Sequence, residues 1–184
     1  MTAAPVPASP LPPGTLVLVR HARATGQEPG AALTPEGEAG AAALVPALRG
    51  LGATRIVSSP WRRAADTAAP LAAALGLPVT PDERLTERVL SPGPRADWPE
   101  RLRDSFADDT LALPGGESGA AARGRGQAAL DAHRDPAGVT VVVTHGNLLA
   151  LLLGLDFDEW KALRNPDVWV CHPGSAPTRL DLLA

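Results

Sequence analysis

Val139-Thr140-Val141-Val142-Val143-Thr144 runs straight into His145-Gly146-Asn147, and Thr15-Leu16-Val17-Leu18-Val19-Arg20 runs straight into His21-Ala22-Arg23. Both are six-residue, β-branched and almost unbroken in apolar character. Strands with one wet face alternate; continuous runs of this kind are covered on both faces. Arg55-Ile56-Val57-Ser58 reads as a further strand of the same type. The stretches between carry helical signals, and strands alternating with helices predict an α/β fold. The expected architecture is a three-layer α/β/α sandwich around a mostly parallel central sheet.

Working outward, Thr34-Pro35-Glu36 has a capping hydroxyl, a proline suited to the first helical position and an acidic residue at the positive end of the dipole. The helix is expected to run to about Arg49 and stop at Gly50, with Pro46 kinking or shortening it. Ser59-Pro60 repeats the start signal for a helix toward Leu75-Gly76, distorted at Pro70. Leu77 to Thr80 reads as a short strand, and Pro81 to Gly116 is mixed, with one helix around Trp98 to Ala107. Glu117 to His133, Asn147 to Leu153 and Phe157 to Leu163 read as helices, and Val168 to Cys171 and Thr178 to Leu182 as closing strands. Residues 1–14, rich in Pro and Ala, form a disordered or extended tail to a single domain over 15–184.

Composition excludes several classes. With 184 residues, 45% of them hydrophobic and 20% charged, the chain is an ordinary globular domain. Its formal charge of -3 excludes a whole-domain basic field, so no nucleic-acid partner is expected. The single cysteine, Cys171, excludes an intramolecular disulfide and any multi-cysteine zinc site, and fits a reducing cytoplasm. The apolar run Leu148 to Leu153 is far short of the roughly 20 residues of a membrane span. The first 19 residues hold no Lys or Arg and five prolines, unlike a secretory signal. A cytoplasmic protein with no membrane partner is expected.

The chemistry gathers at strand ends. Ligands of open α/β sheets bind beyond the carboxyl ends of the strands, where both His21 and His145 would project. Arg20 adjoins one of them, and Arg62 or Arg63 lies in the first turn of a helix after another strand. Guanidinium is always charged and grips phosphate oxygens in a bidentate fork. Gly146 and Asn147 open a helix whose free backbone N–H groups would favour an anion. Gly124-Arg-Gly126-Gln-Ala-Ala129 has a dinucleotide-like spacing but follows no strand, and the only lysine, Lys161, sits in no Walker loop.

These stretches together resemble the histidine phosphatase superfamily, also called phosphoglycerate-mutase-like. Leu18-Val19-Arg20-His21 looks like its Arg-His motif, and Leu33-Thr34-Pro35-Glu36-Gly37 like its Leu-Thr-x-x-Gly stretch. Ser58 to Ala68 looks like the segment of the second arginine, a register that selects Arg63. Arg84-Leu85-Thr86-Glu87 is similar to the stretch with the acidic residue, and Pro114 to Ser118 and Val143 to Gly146 are further matches. Ala22 stands where the family usually has Gly, Arg23 where many members carry an acid or amide, and Ala24 where a hydroxyl is common. Thr25 or Gln27 would supply the missing polar contact.

The resemblance implies a phosphomonoesterase acting on a small phosphorylated metabolite through phosphohistidine on His21. Arg20, Arg63 and His145 would surround the phosphoryl group, with Gly146, Thr25, Gln27 and Arg88 as further phosphate or substrate contacts. Glu87 would be the general acid and then the base; its bland alternative is a carboxylate paired with Arg84 or Arg88. No cofactor and no metal is implied, since two arginines supply the positive charge. The rival readings are a cofactor-dependent phosphoglycerate mutase, for which the chain is short, and a non-catalytic phosphate-binding module. Arg88, Arg95, Trp98, Arg101 and Arg103 lie in or beside the variable segment after Glu87. They form a lid, a second anion site or a solvent-facing helix.

Overall fold

The computed structural model of the chain describes residues 3–182; Met1 and Thr2 of the expected tail and residues 183–184 of the expected domain lie outside them. Seven strands are described: β1 (Ala4–Pro5), β2 (Thr15–Arg20), β3 (Ala53–Ser58), β4 (Val79–Pro81), β5 (Val139–Thr144), β6 (Asp167–Cys171) and β7 (Thr178–Asp181). They form one sheet in the order β1-β7-β6-β2-β5-β3-β4. β6 pairs antiparallel with β2 and β7, and every other pairing is parallel. The sheet is therefore mostly parallel, with one reversed strand beside β2.

The two unbroken apolar runs are neighbours. β2 and β5 pair residue for residue, Thr15 opposite Val139 through to Arg20 opposite Thr144. Their alternate residues feed two cores. Val17, Val19, Val141 and Val143 pack under Leu44 and Leu48 of α1 (Pro35–Leu48) and Ala64, Ala68 and Leu71 of α2 (Arg62–Leu75). Leu16, Leu18 and Val142 face Ala129 and Leu130 of α4 (Gly119–His133) and Leu149 and Ala150 of α5 (Gly146–Leu153). Helices thus cover both faces, which is why the two strands could be apolar throughout. Two further helices, α3 (Trp98–Ala107) and α6 (Phe157–Lys161), lie at the edge of the second core. No described helix is long and apolar enough to cross a membrane.

Local chemistry accounts for most boundaries. Thr34 caps α1 by accepting the Gly37 N–H, as its position predicts. Pro46 neither ends nor shortens that helix: it is exposed, while Leu44 and Leu48 on either side are buried and hold the last turn in place. The second cap signal is displaced. Ser59 accepts the Trp61 N–H instead, and α2 opens at Arg62. The Pro-rich stretch runs extended, with Ala4 and Pro5 pairing to β7 and the Leu11 N–H donating to the Leu51 carbonyl.

Candidate active site

Register brings the two histidines together. Because Arg20 faces Thr144, the chain leaves β2 and β5 at the same level, and the His21 N–H donates to the Thr144 carbonyl at 2.9 Å. The imidazole centroids lie 5.2 Å apart, ring edge toward ring face.

The protonation of His21 is fixed from both sides. Its Nδ1 lies 2.7 Å from the carbonyl of Ala22. A carbonyl only accepts, so Nδ1 carries the proton. Its Nε2 receives the Nε–H of Arg63 at 3.1 Å, and a guanidinium only donates, so Nε2 presents a lone pair. Burial reinforces this. Loss of solvent pushes the imidazole down to about 3, and the neighbouring Arg63 and Arg20 charges act in the same direction, against the bond to Ala22. The result is a neutral imidazole whose Nε2 is unprotonated and keeps its lone pair, shared with the Arg63 N–H, the protonation state a nucleophile needs.

Ala22 fills the family's usual glycine position without strain. No described non-glycine residue has a positive φ, and the Ala22 methyl packs with Leu33 and Ala41. Gly37 explains its own motif: a Cβ there would stand 2.0 Å from the Arg23 carbonyl oxygen, and that same carbonyl accepts the Thr34 N–H. The start of α1 is thereby locked onto the loop that follows the nucleophile.

Arginines frame the pair. Arg20 donates from Nη1 to the carbonyl of Leu163 at 2.9 Å, and its buried Nε has no protein partner among the described residues. A Cβ on Gly146 would sit 2.9 Å from that Nε, so glycine here admits the guanidinium itself. Arg63 is 1% exposed. Its Nη1 donates to the carbonyls of Gln27 and Glu28, and its guanidinium lies 4.8 Å from the Trp61 ring. Burial lowers the pKa of both arginines, with Glu87 acting against it.

His145 is fully buried, and its pKa is held well below the ordinary imidazole range by desolvation and by His21 and three arginines. Its Nε2 lies 2.7 Å from the Ser59 hydroxyl, which already accepts the Trp61 N–H. Nδ1 of His145 is buried and has no described partner. Ser59 was legible only as a cap; a hydroxyl at the end of the strand beside the one carrying His145 was the available signal.

Glu87 is neither exposed nor paired with Arg84. Its Oε1 accepts the N–H groups of Arg88 and Leu148 at 2.9 Å, and its Oε2 that of Asn147 at 3.0 Å. The carboxylate sits on the first turn of α5, so two of the N–H groups of that turn, those of Asn147 and Leu148, are already engaged. Arg84 pairs with Asp82, which also bonds His133.

Arg20, His21, Gln27, Glu87 and Gly146 line one cavity of about 830 Å³. Arg63 and His145 do not line it, whereas Trp61, which packs on both, does. Two expected contacts are corrected. Thr25 does not line the cavity, and its hydroxyl donates to the Ala32 carbonyl. Arg88 does line the cavity, but its guanidinium turns into the scaffold, donating to Glu117 O, Ser105 Oγ and Leu111 O. Among the described residues no three His, Cys, Asp or Glu side chains are grouped to hold a metal ion.

Comparison with known proteins agrees with this geometry. Residues 16–172 match the family described as the histidine phosphatase superfamily (branch 1). The native structure of mycobacterial glucosyl-3-phosphoglycerate phosphatase is 29% identical, with a TM-score of 0.70 over 85% of this chain and 88% of that one. The complex of the same mycobacterial enzyme with inorganic phosphate is 31% identical, with a TM-score of 0.67 over 90% and 93% of the two chains. A phosphoserine phosphatase mutant from Entamoeba histolytica, 22% identical with a TM-score of 0.70 over 91% and 95%, shares the fold. No curated protein sequence matches significantly.

Proposed function

The chain belongs to the histidine phosphatase superfamily, and we propose that it hydrolyses a small phosphomonoester, without a metal, through phosphohistidine on His21. The observation that carries the reading is the double constraint on His21: the Ala22 carbonyl holds the proton on Nδ1, and Arg63 faces the lone pair of Nε2. Structural relatives bound to inorganic phosphate and to vanadate support a small phosphorylated substrate.

Nε2 attacks phosphorus, and the bond to the leaving oxygen breaks as the nitrogen–phosphorus bond forms. Arg63 redirects its Nε–H hydrogen bond from Nε2 to a phosphoryl oxygen, and Arg20, on the cavity wall, brings a second guanidinium, so donors meet charge where it spreads in the transition state. Glu87 gives its proton to the leaving alcohol. It then takes one from the water that attacks phosphohistidine, and inorganic phosphate leaves with His21 restored to its neutral form.

The test is a rapid quench during turnover of a phosphomonoester. Acid-labile phosphate is expected on His21, and His21→Ala should lower kcat by at least about 10³ while the protein stays folded. Turnover should also survive prolonged chelation. Phosphate trapped on a serine, an active alanine variant, or activity restored by added zinc or magnesium would overturn the reading.

A further inference from the structure

Resting on that reading, we propose that the substrate's alcohol portion is apolar, an aryl-alkyl or comparable hydrophobic group, and not a second anion. The two large hydrophobic side chains that stand exposed on the described surface are Val89 and Trp98, each 42% exposed. Both line the catalytic cavity, together with Leu90, Leu102, Pro94 and Trp160. Isolated exposed apolar side chains need no explanation, but here both lie on the wall of one cavity that holds the nucleophile. Trp98 and Trp160 rings lie 6.2 Å apart at 60°, so the wall is continuous and aromatic.

Charge on this wall is already engaged. A second anionic group would need a free cation there. Arg95 pairs with Asp97, and Arg101 with Asp97 and Asp104. Arg103 lies over the Phe157 ring, and Arg88 is turned into the scaffold. None of Arg95, Arg101 and Arg103 lines the cavity; Arg23, which does, is paired with Glu36. Arg20, at the polar end, lies beside His21, where the phosphoryl group must sit. The segment after Glu87 therefore offers apolar area, which rewards an apolar leaving group through exclusion of water.

The experiment compares phosphate esters of primary alcohols, which keeps leaving-group chemistry similar: ethyl phosphate, 2-phenylethyl phosphate and 3-phosphoglycerate. The value of kcat/KM for 2-phenylethyl phosphate should exceed that for the other two by about tenfold or more. Trp98→Ala should reduce the phenylethyl-to-ethyl ratio by about the same factor. Val89→Lys, at an equally exposed position, should raise the ratio of 3-phosphoglycerate to 2-phenylethyl phosphate. Preference for 3-phosphoglycerate in the native enzyme, or a phenylethyl-to-ethyl ratio that Trp98→Ala leaves within twofold, overturns the proposal. Absence of turnover with every ester would instead defeat the phosphatase reading, which separates the two failures.

Discussion

The catalytic end of the sheet and the segment from 88 to 116 are built in opposite ways. At the catalytic end four of the five functional side chains are tied to backbone, and the fifth, His145, to the Ser59 hydroxyl. His21 donates to Ala22, Arg20 to Leu163 and Arg63 to Gln27 and Glu28, while Glu87 accepts from the first turn of α5. The 88–116 segment adds no strand to the sheet. One buried side chain, Arg88, ties together Ser105 and Leu111 within the segment and Glu117 just beyond it, and the segment presents Val89 and Trp98 to the cavity. Geometry that must hold reacting atoms in place is delegated to hydrogen-bonded strands, whereas recognition of the organic portion is delegated to a surface that can vary without disturbing them.

Glu87 tests this division most severely, because it is both a helix cap and the proposed acid. Glu87→Gln should slow phosphorylation of His21 by alkyl phosphates by about 10² to 10⁴, the usual contribution of positioned proton transfer. Nitrophenyl phosphate, whose leaving group needs little protonation, should slow much less. Single-turnover phosphorylation is the measurement, since it excludes later steps. Equal slowing of both esters would reduce Glu87 to a cap of α5. Asp82 would not replace it, because Arg84 and His133 already hold that carboxylate.

Legibility in the sequence follows the same division. The two cores, the parallel pairing and the site of both histidines could be read because unbroken Val and Leu runs leave few alternatives. The register of β2 against β5 could not be read from either run alone, and it is what turns two strand-end histidines into a pair. Arg63 was selected over Arg62 by motif, and the structure gives the physical reason: Arg63 is buried against His21, whereas Arg62 is exposed beside Asp66. Arg88 misled because a guanidinium next to an acidic site residue looks like a phosphate ligand. The backbone turn that buries it depends on Ser105, Leu111 and Glu117, far along the chain. Trp98 was ambiguous for the same reason, since an isolated helix does not say which face has a cavity beneath it.

Gly146→Ala gives the next largest effect. The added methyl would meet the Arg20 guanidinium at 2.9 to 3.1 Å. That guanidinium is the far end of a side chain and yields more easily than backbone, so the fold should survive. A displacement of the order of 1 Å at a group that must meet the phosphoryl oxygens should lower kcat/KM by about 10². The melting temperature should move little. A large loss of stability with activity per folded molecule unchanged would show that Gly146 serves packing alone.

Arg88→Ala addresses the other region. It leaves the Glu117 and Leu111 carbonyls and the Ser105 hydroxyl without their cation, in a place where Arg88 itself is buried. A cost of about 1–3 kcal/mol in denaturant unfolding is expected. Single-turnover phosphorylation by ethyl phosphate should fall far less than in Gly146→Ala, while discrimination between phenylethyl and ethyl esters should weaken. A fall in chemistry as steep as that of Gly146→Ala would mean that the two regions are not separable.

The remaining effect is the pH dependence of stability, and it distinguishes the regions. His21 titrates near 6.5 when unfolded and about 3 when folded. Between these values the unfolded chain binds a proton that the folded chain refuses, so stability falls as pH drops through this window and is unaffected by this group above it. Asp97, beside the wall, is held below its ordinary value of 3.8 by Arg95 and Arg101, so it is silent until the medium is more acidic. Mild acid should therefore weaken the protein through its catalytic end first. Denaturant unfolding at steps from pH 7 to 4.5 should show a decline that is shallower in His21→Gln, by at most about 1.4 kcal/mol per pH unit. The two proteins should have the same slope above pH 7. Parallel slopes throughout would mean that His21 is protonated as readily in the fold as outside it, and the lowering of its pKa by burial would have to be abandoned.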